Sequence, residues 1–208
     1  MNKWILIIIG AVIVASSSLL IISQPNTPTE TKPVYETGFT YYDIEKIQKT
    51  LSSHNIFVSA PTAITDNTIS QYCTYFENGL PRTVEYCTTT AVTDIHGNAL
   101  GNINLGGDTN SPILAIANLE TATLESNPAE VLLVFETVIE SLVCDCWDEE
   151  QSEDFESISA WLDAVKKFYN DSNQRNIKSK IDNLANTEIS LEITTKENSV
   201  LQTLIILK

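Results

Sequence analysis

The residues best equipped for chemistry in this chain are four cysteines, Cys73, Cys87, Cys144 and Cys146. Thiolates can hold a soft metal, exchange disulfides or close structural cross-links, and their spacing separates these uses. Cys144 and Cys146 stand two apart in Val-Cys-Asp-Cys-Trp-Asp-Glu-Glu. On a helix, residues two apart point to nearly opposite sides, whereas in extended chain they share a side. A bond between them closes a very small ring, which is strained, labile and open to a redox role. Cys73 and Cys87 fall in two segments rich in β-branched and aromatic residues, Thr68–Phe76 and Thr83–Val92, with turn-forming residues between. A hairpin centred on Leu80 pairs Phe76 with Val84 and Thr74 with Tyr86, and sets Cys73 opposite Cys87. Opposed residues on antiparallel strands lie within disulfide reach. The expectation is a Cys73–Cys87 disulfide, with Cys144 bonded to Cys146 or with pairs crossed between the two groups. The alternative is a Zn or Cu(I) site made of all four thiolates. Against that stands the spacing, Cys-x-Cys and Cys-x13-Cys rather than the usual Cys-x2-Cys.

Other chemistry is sparser. His54 and His96 are the two histidines, and both read as solvated loop residues. Asp94 and Asp108 flank glycine-containing turns, where aspartate commonly serves the backbone. Acidic residues crowd between Asp145 and Glu156, which reads as a solvated lead into a helix N-terminus, where negative charge is stabilising. One glycosylation sequon, Asn170-Asp-Ser172, lies just past a helix end in this reading. The chain has no GxSxG elbow, HExxH, phosphate-binding loop or GxGxxG. No cofactor and no enzymatic activity are expected, although 27 acidic residues leave room for a carboxylate pair.

The segments that must present these residues begin with an oily leader. Trp4–Ser23 is 20 residues without a charge. As a helix it would span roughly 30 Å, the thickness of a bilayer's hydrocarbon core. Lys3 precedes it and no basic cluster follows, so the positive-inside rule keeps the N-terminus cytoplasmic and exports the remainder. Residues 1–24 read as an uncleaved signal anchor. A cleaved signal peptide competes with it, with Val14 and Ser16 as small residues before a cut, but the Leu19–Ile22 run continues past that site. Residues 25–38 hold three prolines and four threonines, an extended tether. Residues 39–208 form the folded domain. The chain carries a net charge of -15. Such a field repels phosphate backbones and anionic lipid surfaces, which excludes nucleic acid as a partner.

Periodicity sets out the domain. Ile44, Ile47 and Leu51 predict a helix over 41–54, opened by a capping box from Thr40 to Asp43. Strands follow at 56–58, in the cysteine hairpin, near 99–105 and at 112–119. Gly97, Gly101, Gly106 and Gly107 read as turn glycines. Pro128 opens a helix that ends near Val143, and a second helix starts after Ser152. Ile189, Leu191 and Ile193 alternate with polar residues in one strand, and Val200–Leu207 reads as a mid-sheet strand. The expected fold class is α+β, a mainly antiparallel sheet packed against helices. The expected function is a membrane-anchored, extracytoplasmic binding or interaction module with a protein partner outside the cytoplasm. The second reading is a thiolate metal-binding or redox protein.

Overall fold

The structure, a computed structural model, describes residues 38–208 apart from 66, 78, 145–146, 148–154 and 173. The leader and most of the tether lie outside the described residues. Among the described residues, no helix is long and apolar enough to cross a membrane.

The chain enters through α1 (Asp43–Ser52), whose Ile44, Ile47 and Leu51 are buried at helical spacing. Its start keeps one arm of the expected capping box: Tyr42, not Thr40, is the N-cap, and the Asp43 N–H bonds to the Thr40 carbonyl rather than to its hydroxyl. The Asp43 carboxylate accepts the Thr40 backbone N–H at 2.6 Å, and the Thr40 hydroxyl accepts the Tyr42 N–H at 3.3 Å. Two short strands come next, β1 (Phe57–Val58) and β2 (Thr62–Ala63), then α2 (Ile69–Tyr72) and a small hairpin of β3 (Thr74–Glu77) and β4 (Leu80–Thr83). Strands β5 (Tyr86–Thr93), β6 (Ala99–Gly107) and β7 (Pro112–Thr121) form a meander. Helices α3 (Pro128–Leu142) and α4 (Ile158–Ser172) follow, and a second meander of β8 (Asn176–Leu184), β9 (Thr187–Thr195) and β10 (Val200–Leu207) ends the chain. The main sheet runs β1-β5-β6-β7-β10-β9-β8, with β2 also on β5, and every pairing is antiparallel. The two meanders therefore meet at their last strands. The fold is α+β, as the sequence pattern implied.

One face of the sheet carries the main core. Ile103 and Leu105 of β6, Leu119 of β7 and Leu191 of β9 pack in one cluster with Ile47, Phe135 and Trp161 from the three long helices. The Trp161 indole N–H donates to the Ser179 hydroxyl at 2.9 Å, which satisfies the polar end of a fully buried ring. The opposite face is mostly polar. Across it the Asn118 amide donates to Asn102 Oδ1 at 3.1 Å, and the Thr203 hydroxyl donates to Asn118 Oδ1 at 2.9 Å. A second, smaller core sits on this face where α2 and the hairpin cover it, joining Ile69, Val84, Leu114 and Ile116.

Several expected elements differ. Ile69–Tyr72 is helical, not strand, so the first segment of the expected hairpin holds only Thr74–Glu77. The hairpin turns one and a half residues earlier than Leu80: Phe76 pairs with Pro81 and Thr74 with Thr83. Tyr86–Thr93 leaves the hairpin altogether and joins the main sheet. The strand over Asn176–Leu184 was not expected, because lysines, asparagines and aspartate dominate its outward positions. Those residues suit an edge strand, where charge discourages pairing with another chain. The helix expected after Ser152 begins at Ile158 among the described residues. Of the four glycines read as turn residues, only Gly97 is in a turn; Gly101, Gly106 and Gly107 belong to β6. At Gly101, φ is +156° and an added Cβ would stand 1.8 Å from the Asn118 carbonyl oxygen, so no side chain fits where β6 meets β7.

One polar side chain lies on the wrong side of this partition. Gln202 of β10 is fully buried on the helix-facing side, between Leu119 and Ile193, and neither amide atom has a hydrogen-bond partner among the described residues. An unsatisfied buried amide costs about 1–3 kcal/mol. Gln202→Leu is therefore expected to stabilise the domain by about that amount, read as a higher urea midpoint at unchanged denaturant slope. A lower midpoint would show that the amide has a role in the core.

Candidate functional site

Cys73 and Cys87 are bonded to each other, with Cα atoms 6.3 Å apart. The pairing agrees with the sequence expectation, but the geometry behind it differs. Cys73 ends α2, and Cys87 lies in β5 of the main sheet, so the bond crosses from the covering hairpin to the sheet beneath. Both cysteines are fully buried. The space comes from Gly106, which sits opposite Cys87 on β6: a Cβ there would meet the Cys73 sulfur at 3.0 Å and a Val84 methyl at 2.9 Å. Backbone and side-chain bonds help the staple. The Val84 N–H donates to the Cys73 carbonyl at 3.3 Å, and the Asn104 amide donates to the Tyr72 carbonyl at 3.2 Å.

Cys144 follows α3, half-buried against the main core, and is also disulfide-bonded; Cys146 lies outside the described residues. Trp147 is buried, and its indole N–H donates to the Phe155 carbonyl at 3.3 Å. A sulfur held in a disulfide is not a thiolate, so a site built on Cys73, Cys87, Cys144 and Cys146 requires a reduced protein. Among the described residues, no three His, Cys, Asp or Glu side chains converge as metal ligands would. His54 and His96 are exposed in turns. The Asp94 carboxylate accepts the Asn98 side-chain amide and the N–H groups of Asn98 and His96, and that of Asp108 accepts the N–H groups of Asn110 and Ser111, which holds both carboxyls below the usual range. Most of the acidic run lies outside the described residues. Asn170 is exposed and sits within the last turn of α4, rather than past the helix end, with its amide 3.4 Å from Glu125 Oε1.

A cleft of about 880 Å³ lies beside α1. Tyr41 and Tyr42 enter it from the capping turn, Glu45 and Gln48 from α1, and Tyr86 and Thr88 from β5. The segment through Pro61 and the β6–β7 turn at Asn110 complete it. Its shape depends on a few fixed contacts. The Tyr41 hydroxyl donates to the Asp108 carbonyl at 2.7 Å. The rings of Tyr41 and Tyr86 stand 5.3 Å apart, with planes at 86°. The Gln48 amide donates to the Ser59 carbonyl at 2.6 Å, tying the outer segment to α1. No lysine or arginine is among its described lining residues. Burial, then the neighbouring Tyr86 and Asp108, push the Tyr41 hydroxyl up to about 12. Sequence reasoning used these residues only to place helices and strands. Their convergence depends on four segments far apart in the chain, and no local pattern signals it.

A hydrolytic site would need a carboxyl of raised pKa inside such a cavity. Glu136 on α3 is raised by burial and by the charges of Glu140 and Asp163, but it lines none of the described clefts.

Two outcomes follow from this geometry. Replacing both Cys73 and Cys87 by serine removes a cross-link over a loop of this size, for which loop entropy gives about 3 kcal/mol. The unfolding free energy of the oxidised protein in urea is expected to fall by that amount, and added reductant to have less further effect on the variant. The second concerns alkali. Folding holds the Tyr41 proton more tightly than an unfolded tyrosine, whose ordinary value is 10.0. The folded state then binds more protons between pH 10 and about 12, so stability falls as pH rises through that window. Tyr41→Phe is expected to flatten that decline in thermal melts, and to remove the latest step of the tyrosine absorbance titration.

Comparison with protein-family models, with curated proteins and with solved structures finds no match to this chain.

Proposed function

We propose that this protein is a membrane-anchored, extracytoplasmic binding module, held in the bilayer by residues 4–23 and spaced from it by the tether over 25–38. The N-terminus stays cytoplasmic and the α+β domain stands outside, where it meets a ligand or a protein partner. The observation that carries this reading is the buried Cys73–Cys87 disulfide. It ties a peripheral hairpin to the sheet, and such a bond persists in oxidising compartments while cytosolic thiols are kept reduced. The uncharged leader supports export independently. The tyrosine-lined cleft supports binding, since ligand sites are typically concave, part apolar and equipped with a few polar groups.

Fractionation of cells making the full-length chain tests the reading. The expected result is full-length protein in the membrane fraction, with cysteines that resist alkylation until reductant is added and with the domain open to added protease in cells stripped of outer barriers. Soluble cytosolic chain with alkylatable thiols would overturn it. Metal analysis of the same material separates the other reading: one equivalent of zinc or copper with four free thiols would assign the protein to thiolate metal binding.

A further inference from the structure

The character of the cleft beside α1 narrows the ligand it can take. Three features converge there. The first is aromatic: the Tyr41 and Tyr86 rings line the cleft and meet edge to face, at 86° with centroids 5.3 Å apart, in one corner of it. Tyr42, 79% exposed, offers a third ring at the mouth. The second is charge. Glu45 is the one charged residue among the described lining, and no lysine or arginine competes for it or offers an anion a partner. The third is rigidity. The Tyr41 hydroxyl is committed to the Asp108 carbonyl, so its ring cannot swing into the space. The field of the Asp108 carboxylate reaches this ring as well.

Aromatic faces carry negative charge density and attract cations placed within about 6 Å of the ring centre, most strongly when solvent is partly excluded. An anion would find hydroxyl and amide donors but no cationic partner, and would face a carboxylate and ring faces of the wrong sign. A neutral apolar ligand would leave Glu45 and the cleft's amide and hydroxyl groups unused. We propose that this cleft receives a small organic cation, an ammonium or quaternary ammonium group seated in the corner of Tyr41 and Tyr86 and balanced by Glu45. The proposal rests on the reading of the domain as a binding module and names the ligand class of that module.

The test is equilibrium dialysis of the full-length chain, in an uncharged detergent, against radiolabelled choline. Unlabelled tetramethylammonium and 3,3-dimethylbutan-1-ol, the neutral isostere of choline, serve as competitors at equal concentration. The expected result is displacement by tetramethylammonium and little by the isostere, with retention weakening as salt is raised. Tyr86→Ala is expected to lower choline affinity about tenfold and Tyr86→Phe by less than about twofold, because the ring face and not the hydroxyl makes the contact. Glu45→Gln, an exposed change, is expected to weaken binding about threefold. Equal displacement by the isostere would overturn the proposal in favour of simple apolar binding, and so would no retention of choline. The competition on the unaltered chain decides the matter even where Tyr86→Ala does not fold. Failure here leaves the fractionation result untouched, so loss of this ligand class and loss of the anchored-module reading are distinguishable.

Discussion

β7 and β10 pair antiparallel from Thr121–Val200 to Leu114–Leu207, and the position of nearly every other element follows from that ladder. The partners are between 79 and 93 residues apart in sequence, with α3, α4 and the β8–β9 hairpin lying between them. Closing so long a loop costs entropy, although the cost grows only slowly with length. The return lies in the composition of the two strands. Leu114, Ala115, Ala117 and Leu119 of one, and Leu204 and Ile206 of the other, are almost completely buried, so each pairing also removes apolar surface from water. With β7 and β10 together in the middle, β6 and β5 extend the sheet on one side and β9 and β8 on the other. Helices α3 and α4, which connect β7 to β8, are then left with one face to cover. The cleft beside α1 is a distant consequence, because β5 and the β6–β7 turn reach it only through the first meander.

The two faces of this sheet are treated differently, and the disulfide belongs to the weaker one. The helix side has three amphipathic helices to bury it. The opposite side has only α2 and a four-residue-per-strand hairpin, with a core of a few apolar side chains. Phe76 and Leu80 at the hairpin's end remain largely exposed, so they add little to its attachment. A cover that small cannot rely on area alone, and a two-stranded hairpin is marginal by itself. The Cys73–Cys87 bond makes its position a matter of covalent chemistry. Gly106 is the complementary feature on the sheet, since a side chain there would occupy the space of the sulfur.

Much of the fold was readable from pattern, and the exceptions share a cause. The buried stripes of α1, α3 and α4 repeat at helical spacing, and Ile189, Leu191 and Ile193 alternate cleanly, so local periodicity located them. β8 was missed because its outward residues, Lys178 and Lys180 among them, are poor strand formers, while the buried Ile177, Ile181 and Leu184 break strict alternation at the irregularity between Asp182 and Leu184. Their strand conformation follows from pairing with β9, where Lys178 meets Glu192 at 2.7 Å and Lys180 meets Glu188 at 2.8 Å. Ile69–Tyr72 looked like strand because tyrosine and isoleucine favour sheets, yet the segment has no sheet neighbour and turns helical. The Cys73–Cys87 pair was chosen from a hairpin register that the structure does not have: Cys87 pairs with Gly106 on β6, and the bond forms because α2 lays Cys73 over that glycine. The cleft was illegible for a stricter reason: Tyr41, Gln48, Pro61, Tyr86 and Asn110 carry no shared spacing, and only the completed topology brings them together.

Electrostatics links the whole chain to that cleft at two ranges. The net charge of -15 sets a long-range field that favours approach of cations from any direction, but salt at physiological strength screens it beyond about 8 Å. Selectivity at the cleft must therefore come from the groups that line it. Several basic side chains are committed elsewhere, while Lys46 and Lys49 stand on α1 itself but outside the residues that line the cleft. Lys178 and Lys180 pair with acids along β8 and β9, Lys196 pairs with Glu120, and Arg82 pairs with Glu77 in the hairpin. Lys208 lies 4.2 Å from the Phe39 ring centre and donates to the Phe39 carbonyl. Exposed pairs of this kind add little stability. None of these cations is among the residues that line the tyrosine corner. That corner is thus left with ring faces and a carboxylate, and the one cation–ring contact among the described residues, Lys208 on Phe39, shows the same chemistry operating within the fold.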